Sequence, residues 1–149
     1  MIIPDLNLLI YAHDKTSPSY ESARKWWKAC LSGTESVGLP WVVTLGFVRL
    51  WTSRRVFENP MSVDQAAGYV ESWFKRPMVR ALNPGPRHAE LLFGFLRAEG
   101  SGGNLTTGAH LAAMAIESNA TLHTADTDFL RFTGIRWINP LAEKSSAKK

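Results

Sequence analysis

The sequence predicts an α/β domain built on a short, mostly parallel central sheet. Three observations predict it. Short apolar runs alternate with longer segments whose apolar residues recur at helical spacing, the pattern of a parallel sheet covered on both faces. The chain has 149 residues, 45% of them hydrophobic, enough for one compact domain with a real core. It carries neither an internal repeat nor a linker, so residues 1–141 read as one domain and residues 142–149 as a basic, disordered tail.

Taken in order, Ile2 to Pro4 is a short buried strand, and Leu6 to His13 is helical with Asp5 placed to cap it. Ser17-Pro18 opens the next helix, with proline at its first position, and Gly33 stops it. Val37 to Leu39 is a second strand, bounded by Pro40. Trp41 to Arg54 is rich in β-branched and aromatic residues, but it is too long for an ordinary strand and its apolar positions fit a helix. Ser62 to Gln65 is a capping box for a helix that reaches Phe74. Val79 to Leu82 is a third strand, and Pro84-Gly85-Pro86 a turn. Arg87 to Ala98 is a helix that buries Leu91, Leu92, Phe95 and Leu96. After a glycine-rich loop, Thr106 or Thr107 caps a helix from Ala109 to Ser118, with Leu111, Ala112, Ala115 and Ile116 inward. Thr121 to Thr124 is a buried strand, Asp128 to Phe132 a helical turn, and Arg136 to Ile138 an edge strand.

Composition narrows the function classes. No apolar stretch is long enough to span a bilayer, and the first residues lack the basic region and cleavage site of a secretory leader, so a cytoplasmic protein without membrane attachment is expected. The single cysteine, Cys30, excludes an internal disulfide and reads as a buried thiol. A net charge of +4 and a pI near 9.5 favour anionic partners such as nucleic acid, although they also serve plain solubility.

Two apolar runs end in acids: Ile2-Ile3-Pro4 in Asp5, and Ala120 to Ala125 in Asp126, followed by Asp128. In parallel sheets ligands bind outside the carboxyl ends of the strands, which is where these acids fall. Taken singly, Asp5 reads as an N-cap, and Asp126 and Asp128 as an Asx-turn. Taken together they read as one acidic pocket. Clustered carboxylates repel unless a cation joins them, and hard oxygen ligands suit Mg²⁺ or Mn²⁺. Such a metal polarises a phosphodiester and activates water, so a basic chain around it points to a nuclease.

The residues also carry a resemblance. Ile3-Pro4-Asp5-Leu6-Asn7-Leu8-Leu9, Gly103 to Ala113, and Thr124-Ala125-Asp126-Thr127-Asp128-Phe129 resemble, in order and spacing, motifs of the PIN-domain ribonucleases, VapC toxins in particular. Each motif alone is weak; three in order from Met1 to Leu141 are fairly specific. The resemblance implies a three-layer α/β/α fold and a Mg²⁺-dependent endoribonuclease acting on structured RNA such as tRNA or rRNA. It implies a homodimer, and a hetero-oligomer with a VapB-type antitoxin. Asp5, Asp126 and Asp128 would be catalytic metal ligands, with Asn7 and Thr107 supporting them by hydrogen bonds.

The chain departs from that pattern at Gly108, where the family usually has aspartate. Glycine supplies no ligand there, and an acid would suit the first helical turn better. The expectation is therefore an impaired enzyme, the alternative being a native glycine start to this helix in a lineage that uses fewer acids. Gly46 stands where another acid is often found, and close packing or room near the metal would explain it.

Arg49, Arg54 and Arg55 form a basic helix end that could grip RNA or an antitoxin. His110 reads as a surface or capping residue rather than a general acid, and His123 as packed. Trp26, Trp27, Trp41, Trp51 and Trp73 read as core or dimer packing before base stacking. Two rivals remain: a non-cleaving module of the same fold that binds RNA or antitoxin, and a phosphotransferase with Asp5 as nucleophile. The second is weak, since no acid stands two residues beyond Asp5.

Overall fold

The computed structural model describes residues 1–142, so the expected tail falls, but for Ala142, outside the described residues. Strands β1 (Ile2–Pro4), β2 (Val37–Pro40), β3 (Val79–Leu82), β4 (Thr121–His123) and β5 (Arg136–Ile138) form one sheet in the order β3-β2-β1-β4-β5. Every neighbouring pair is parallel, so the expected mostly parallel sheet is parallel throughout. The helices are α1 (Leu6–Tyr11), α2 (Tyr20–Ser32), α3 (Trp41–Trp51), α4 (Val63–Phe74), α5 (His88–Glu99) and α6 (Thr106–Glu117).

The strand order fixes the layers. The chain steps outward from β1 to β2 and β3, then returns across β1 to β4 and β5. Parallel crossovers are right-handed in almost all proteins, so this reversal puts α1 to α4 on one face and α5 and α6 on the other. Packing agrees: α1 meets α2 and α3, α3 meets α4, and α5 meets α6. The reversal point lies between β1 and β4.

β1 and β2 are buried at every residue, which is why they read as continuous apolar runs. On the first face, Trp73 packs edge-on against Trp27 and Phe47, with ring centroids 5.4 and 4.8 Å apart, and so joins α2, α3 and α4. Trp27, Trp51 and Trp73 are core residues as expected. Trp41 is not: it stands 48% exposed beside Leu45, also exposed. Cys30 is buried, and burial pushes its thiol up to about 12, which keeps it protonated and unreactive.

Several element ends differ from the sequence reading. α2 begins at Tyr20 rather than Pro18, because Ser17 Oγ accepts the Ser19 N–H (3.1 Å) and holds a turn ahead of the helix. α3 ends at Trp51, where the Thr52 hydroxyl donates to the Val48 carbonyl at 2.7 Å. Arg54 and Arg55 therefore lie in the turn beyond the helix. The capping box of Ser62 and Gln65 forms in full. α5 buries Leu91, Leu92, Phe95 and Leu96 only partly. α6 is buried from Leu111 through Ala115, wider than one stripe, and Ile116 is half-buried.

Gly46 is where α3 meets α1. A Cβ there would stand 2.6 Å from Leu6 Cδ2, so the expected packing role is the one observed. Overfilling a packed contact costs about 1–3 kcal/mol. Gly46→Val should lower the free energy of unfolding by about that much in urea titration, with an unchanged m-value.

Candidate active site

β1 ends at Pro4, and Asp5 turns the chain into α1. Its backbone is extended (φ −80°, ψ 154°), and its Oδ1 accepts the Leu6 N–H at 2.8 Å. Its own N–H donates to the His123 carbonyl at 2.8 Å, which carries the β1–β4 ladder one residue past the strands. The register pairs Pro4 with His123, so the residue beside Asp5 is Thr124.

Thr124 is fully buried, and its hydroxyl is fully used. It donates to Asp5 Oδ2 at 2.7 Å and accepts from the Asp126 N–H at 3.0 Å and from Asn7 Nδ2 at 3.5 Å. One donor and two acceptor positions are all that a hydroxyl has. Asp126 Oδ1 in turn accepts the Asp128 N–H at 2.8 Å and caps the 3₁₀ turn Thr127–Arg131. The cap and the site readings therefore hold together: each cap leaves lone pairs on the same carboxylate.

Asp5, Asp126, Asp128, Thr107 and Gly108 line one cavity of about 120 Å³, closed on one side by Phe129 and Phe132. Burial raises the Asp5 pKa. The hydrogen bonds from Thr124 and Leu6 oppose that rise, and the nearby Asp126 charge adds to it.

The donors are hard oxygens, the right kind for Mg²⁺ or Mn²⁺. Among the described residues, no group of three or more His, Cys, Asp or Glu side chains converges closely enough to hold a metal ion. Asp128 shows why. It is exposed, and its Oδ1 lies 3.5 Å from Arg131 Nε, whose Nη1 also meets Glu99 at 3.2 Å. The expected ligand set of Asp5, Asp126 and Asp128 shares one cavity.

Gly108 lines the same cavity. It is the third residue of α6, which begins at Thr106 after a 3₁₀ turn at Gly103–Leu105. Its φ is not left-handed, and a Cβ would meet Phe132 at 3.4 Å and Phe129 at 3.6 Å, ordinary contacts. Neither backbone nor packing requires glycine there.

Other assignments shift. Neither Thr106 nor Thr107 caps α6 with its side chain, because the helix starts earlier than the motif suggested. Thr107 lines the cavity, but among the described residues it makes no hydrogen bond to a carboxylate. The supporting hydroxyl is that of Thr124, a residue of the motif to which sequence reasoning gave no role; its place just past β4, level with Asp5, was the available signal. Asn7 supports Asp5 only through Thr124, and its Oδ1 is buried without a partner. Arg49, Arg54 and Arg55 are exposed and line no part of this cavity. His110 lies outside the cavity, with its Nδ1 2.8 Å from His88 Nε2; burial and His88 both lower its pKa. His123 Nδ1 accepts the Trp26 indole N–H at 3.0 Å, which fits a packed role.

Comparison with known proteins bears on this arrangement. The family described as PIN domain matches residues 2–135. Ribonuclease VapC33 of Mycobacterium tuberculosis is 41% identical over 143 residues, covering 96% of this chain and all of that protein. Ribonuclease VapC37 of the same organism is 41% identical over 142 residues, 95% of this chain and 99% of its own. Among solved structures, VapBC2 from Rickettsia felis, bound to a DNA fragment from their promoter, superposes with a TM-score of 0.66 at 19% identity, over 93% of this chain and 98% of that one. Mycobacterium tuberculosis VapC20, described as a sarcin-ricin loop cleaving toxin, gives 0.63 at 16% identity, over 91% and 99%. At those identities the likeness shows the fold.

The Thr124 hydroxyl can be tested directly. Thr124→Val should cost about 1–3 kcal/mol at neutral pH, the range for a buried polar group left unpaired. The bond favours the charged carboxylate, so its loss raises the Asp5 pKa further. A carboxyl whose folded pKa is raised loses stability as pH climbs through that value. The deficit of the variant should therefore be largest at neutral pH and shrink in acid, where Asp5 is protonated; urea melts at several pH values read this out. An equal deficit at all pH values would remove the link to Asp5.

Proposed function

The chain belongs to the PIN domain family, and from that membership we propose that it is an endoribonuclease toxin of the VapC kind, attenuated by glycine at position 108. The observation that carries this reading is the cavity at the β1–β4 reversal: Asp5 and Asp126 reach it from adjacent strand ends, and Gly108 opens into it without contributing an oxygen. Relatives 41% identical over nearly the whole chain are named ribonucleases. The basic charge suits an RNA substrate of the structured kind, tRNA or rRNA.

The chain's own residues give the site its rigidity. Leu6 N–H and Thr124 fix Asp5, and Asp128 N–H fixes Asp126. A carboxylate at 108 would enter the same cavity and complete a donor set suited to Mg²⁺ or Mn²⁺. Structural neighbours solved as VapBC complexes support a VapB-type antitoxin as partner. Trp41 and Leu45, exposed one turn apart on α3, support homodimerisation as part of this reading. No helix of the described residues is long and apolar enough to cross a membrane.

RNA cleavage and metal-linked stability test this reading, each compared between the chain as it stands and Gly108→Asp. Partners that merely orient metal ligands are worth about 10–100-fold, so regaining a direct ligand should raise RNA cleavage in Mg²⁺ or Mn²⁺ by about 100-fold or more. The same substitution should make the melting temperature rise with added Mg²⁺, because a ligand at 100 times its Kd stabilises by about 2.7 kcal/mol. Equal, strong cleavage by both forms would remove the attenuation. No cleavage by either, with RNA still bound, would favour the non-cleaving binding module.

A further inference from the structure

A second cavity, about 390 Å³, lies between the end of α1, α2 and α4, and shares no lining residue with the acidic one. Its charge has the opposite sign. Lys15, Arg24, Lys28 and Arg76 line it, and among the described residues no Asp or Glu does. All four are exposed, and among the described residues none is in an ion pair. Arg24 and Lys28 stand four residues apart on one face of α2, where like charges repel. An anion seated between these cations would relieve that repulsion.

The walls are aromatic. Trp27 and Trp73 are buried at the base, and Tyr69 is 44% exposed. His13 packs edge-on to Tyr69, centroids 4.7 Å apart, and its Nδ1–H donates to the Leu9 carbonyl at 2.8 Å. The Trp27 indole N–H is buried without an acceptor. Cations beside a partly exposed aromatic side chain are a means by which proteins hold a phosphate and stack its base. The volume falls within the range of small-ligand pockets, about 300–1,000 Å³, and suits one nucleotide. An acidic peptide would match the cations but make no use of a stacking face.

We propose that the cavity between α2 and α4 binds one nucleotide unit, its phosphate held by Arg24 and Lys28 and its base against Tyr69. Two sources share this chemistry, a free mononucleotide and a nucleotide within an RNA strand; only the RNA source rests on the ribonuclease reading. Calorimetric titration in EDTA separates them, because no cleavage occurs and the acidic site plays no part. The probes are AMP, inorganic phosphate, a 2′-O-methyl RNA oligonucleotide and a poly-glutamate peptide.

Saturable binding of AMP identifies a free nucleotide, and binding of the oligonucleotide alone identifies RNA. In either case Arg24→Glu/Lys28→Glu should weaken binding at least tenfold with an unchanged melting temperature. Arg80→Glu/Arg97→Glu, an equal charge change at exposed residues outside the cavity, should weaken it less than twofold. Tyr69→Ala should weaken the nucleotide but not inorganic phosphate. The proposal is overturned if neither nucleotide form binds saturably, if both charge variants lose equally, or if poly-glutamate binds more tightly than either. AMP binding in a chain that stays inactive as Gly108→Asp would leave this site standing while the nuclease reading falls.

Discussion

The hydroxyl of Thr124 ties the acidic site to the sheet. It receives the Asp126 N–H and the Asn7 amide and gives its proton to Asp5, so one buried oxygen joins the ends of β1 and β4 to the first turn of α1. The geometry follows from register: with Pro4 opposite His123, the next residues on both strands must meet. Taking a carboxylate out of water is costly. Three features make this one tolerable: the Thr124 bond, the Leu6 N–H, and the uptake of a proton more readily than an exposed aspartate would.

Gly46 and Gly108 have different physical standing. Gly46 is filled from outside, since the Leu6 side chain occupies the space its Cβ would need. The helix accepts the lower propensity of glycine there in return for closeness between α1 and α3. Gly108 has ordinary room, an ordinary φ, and an acidic cavity in front of it. Nothing in its packing among the described residues requires glycine.

The molecule also separates its charges. Asp5, Asp126 and Asp128 meet at the reversal point between β1 and β4, while cations that make no ion pair among the described residues line the groove between α2 and α4. The helices of that groove cover the face built by the β1-β2-β3 crossovers, and α5 and α6 cover the other. A net positive chain thereby keeps a small negative cavity at the end of its sheet, with a basic, aromatic surface available to hold a phosphate elsewhere.

The sequence by itself determined the alternation of strands and helices, the parallel sheet, the capping box at Ser62 and the pairing of acids at two strand ends. These are local signals, carried by apolar runs, turn residues and caps. It misplaced the starts of α2 and α6 because Ser17-Pro18 and Thr106-Thr107 look like caps, whereas a side-chain turn and a 3₁₀ entry set the boundaries. Only the tertiary structure decided that Thr124 rather than Thr107 supports Asp5, that Arg131 engages Asp128, that His110 pairs with His88, and that four dispersed cations line one groove. Each of those depends on register and crossover geometry between distant segments, and distance along the chain carries no record of distance in space.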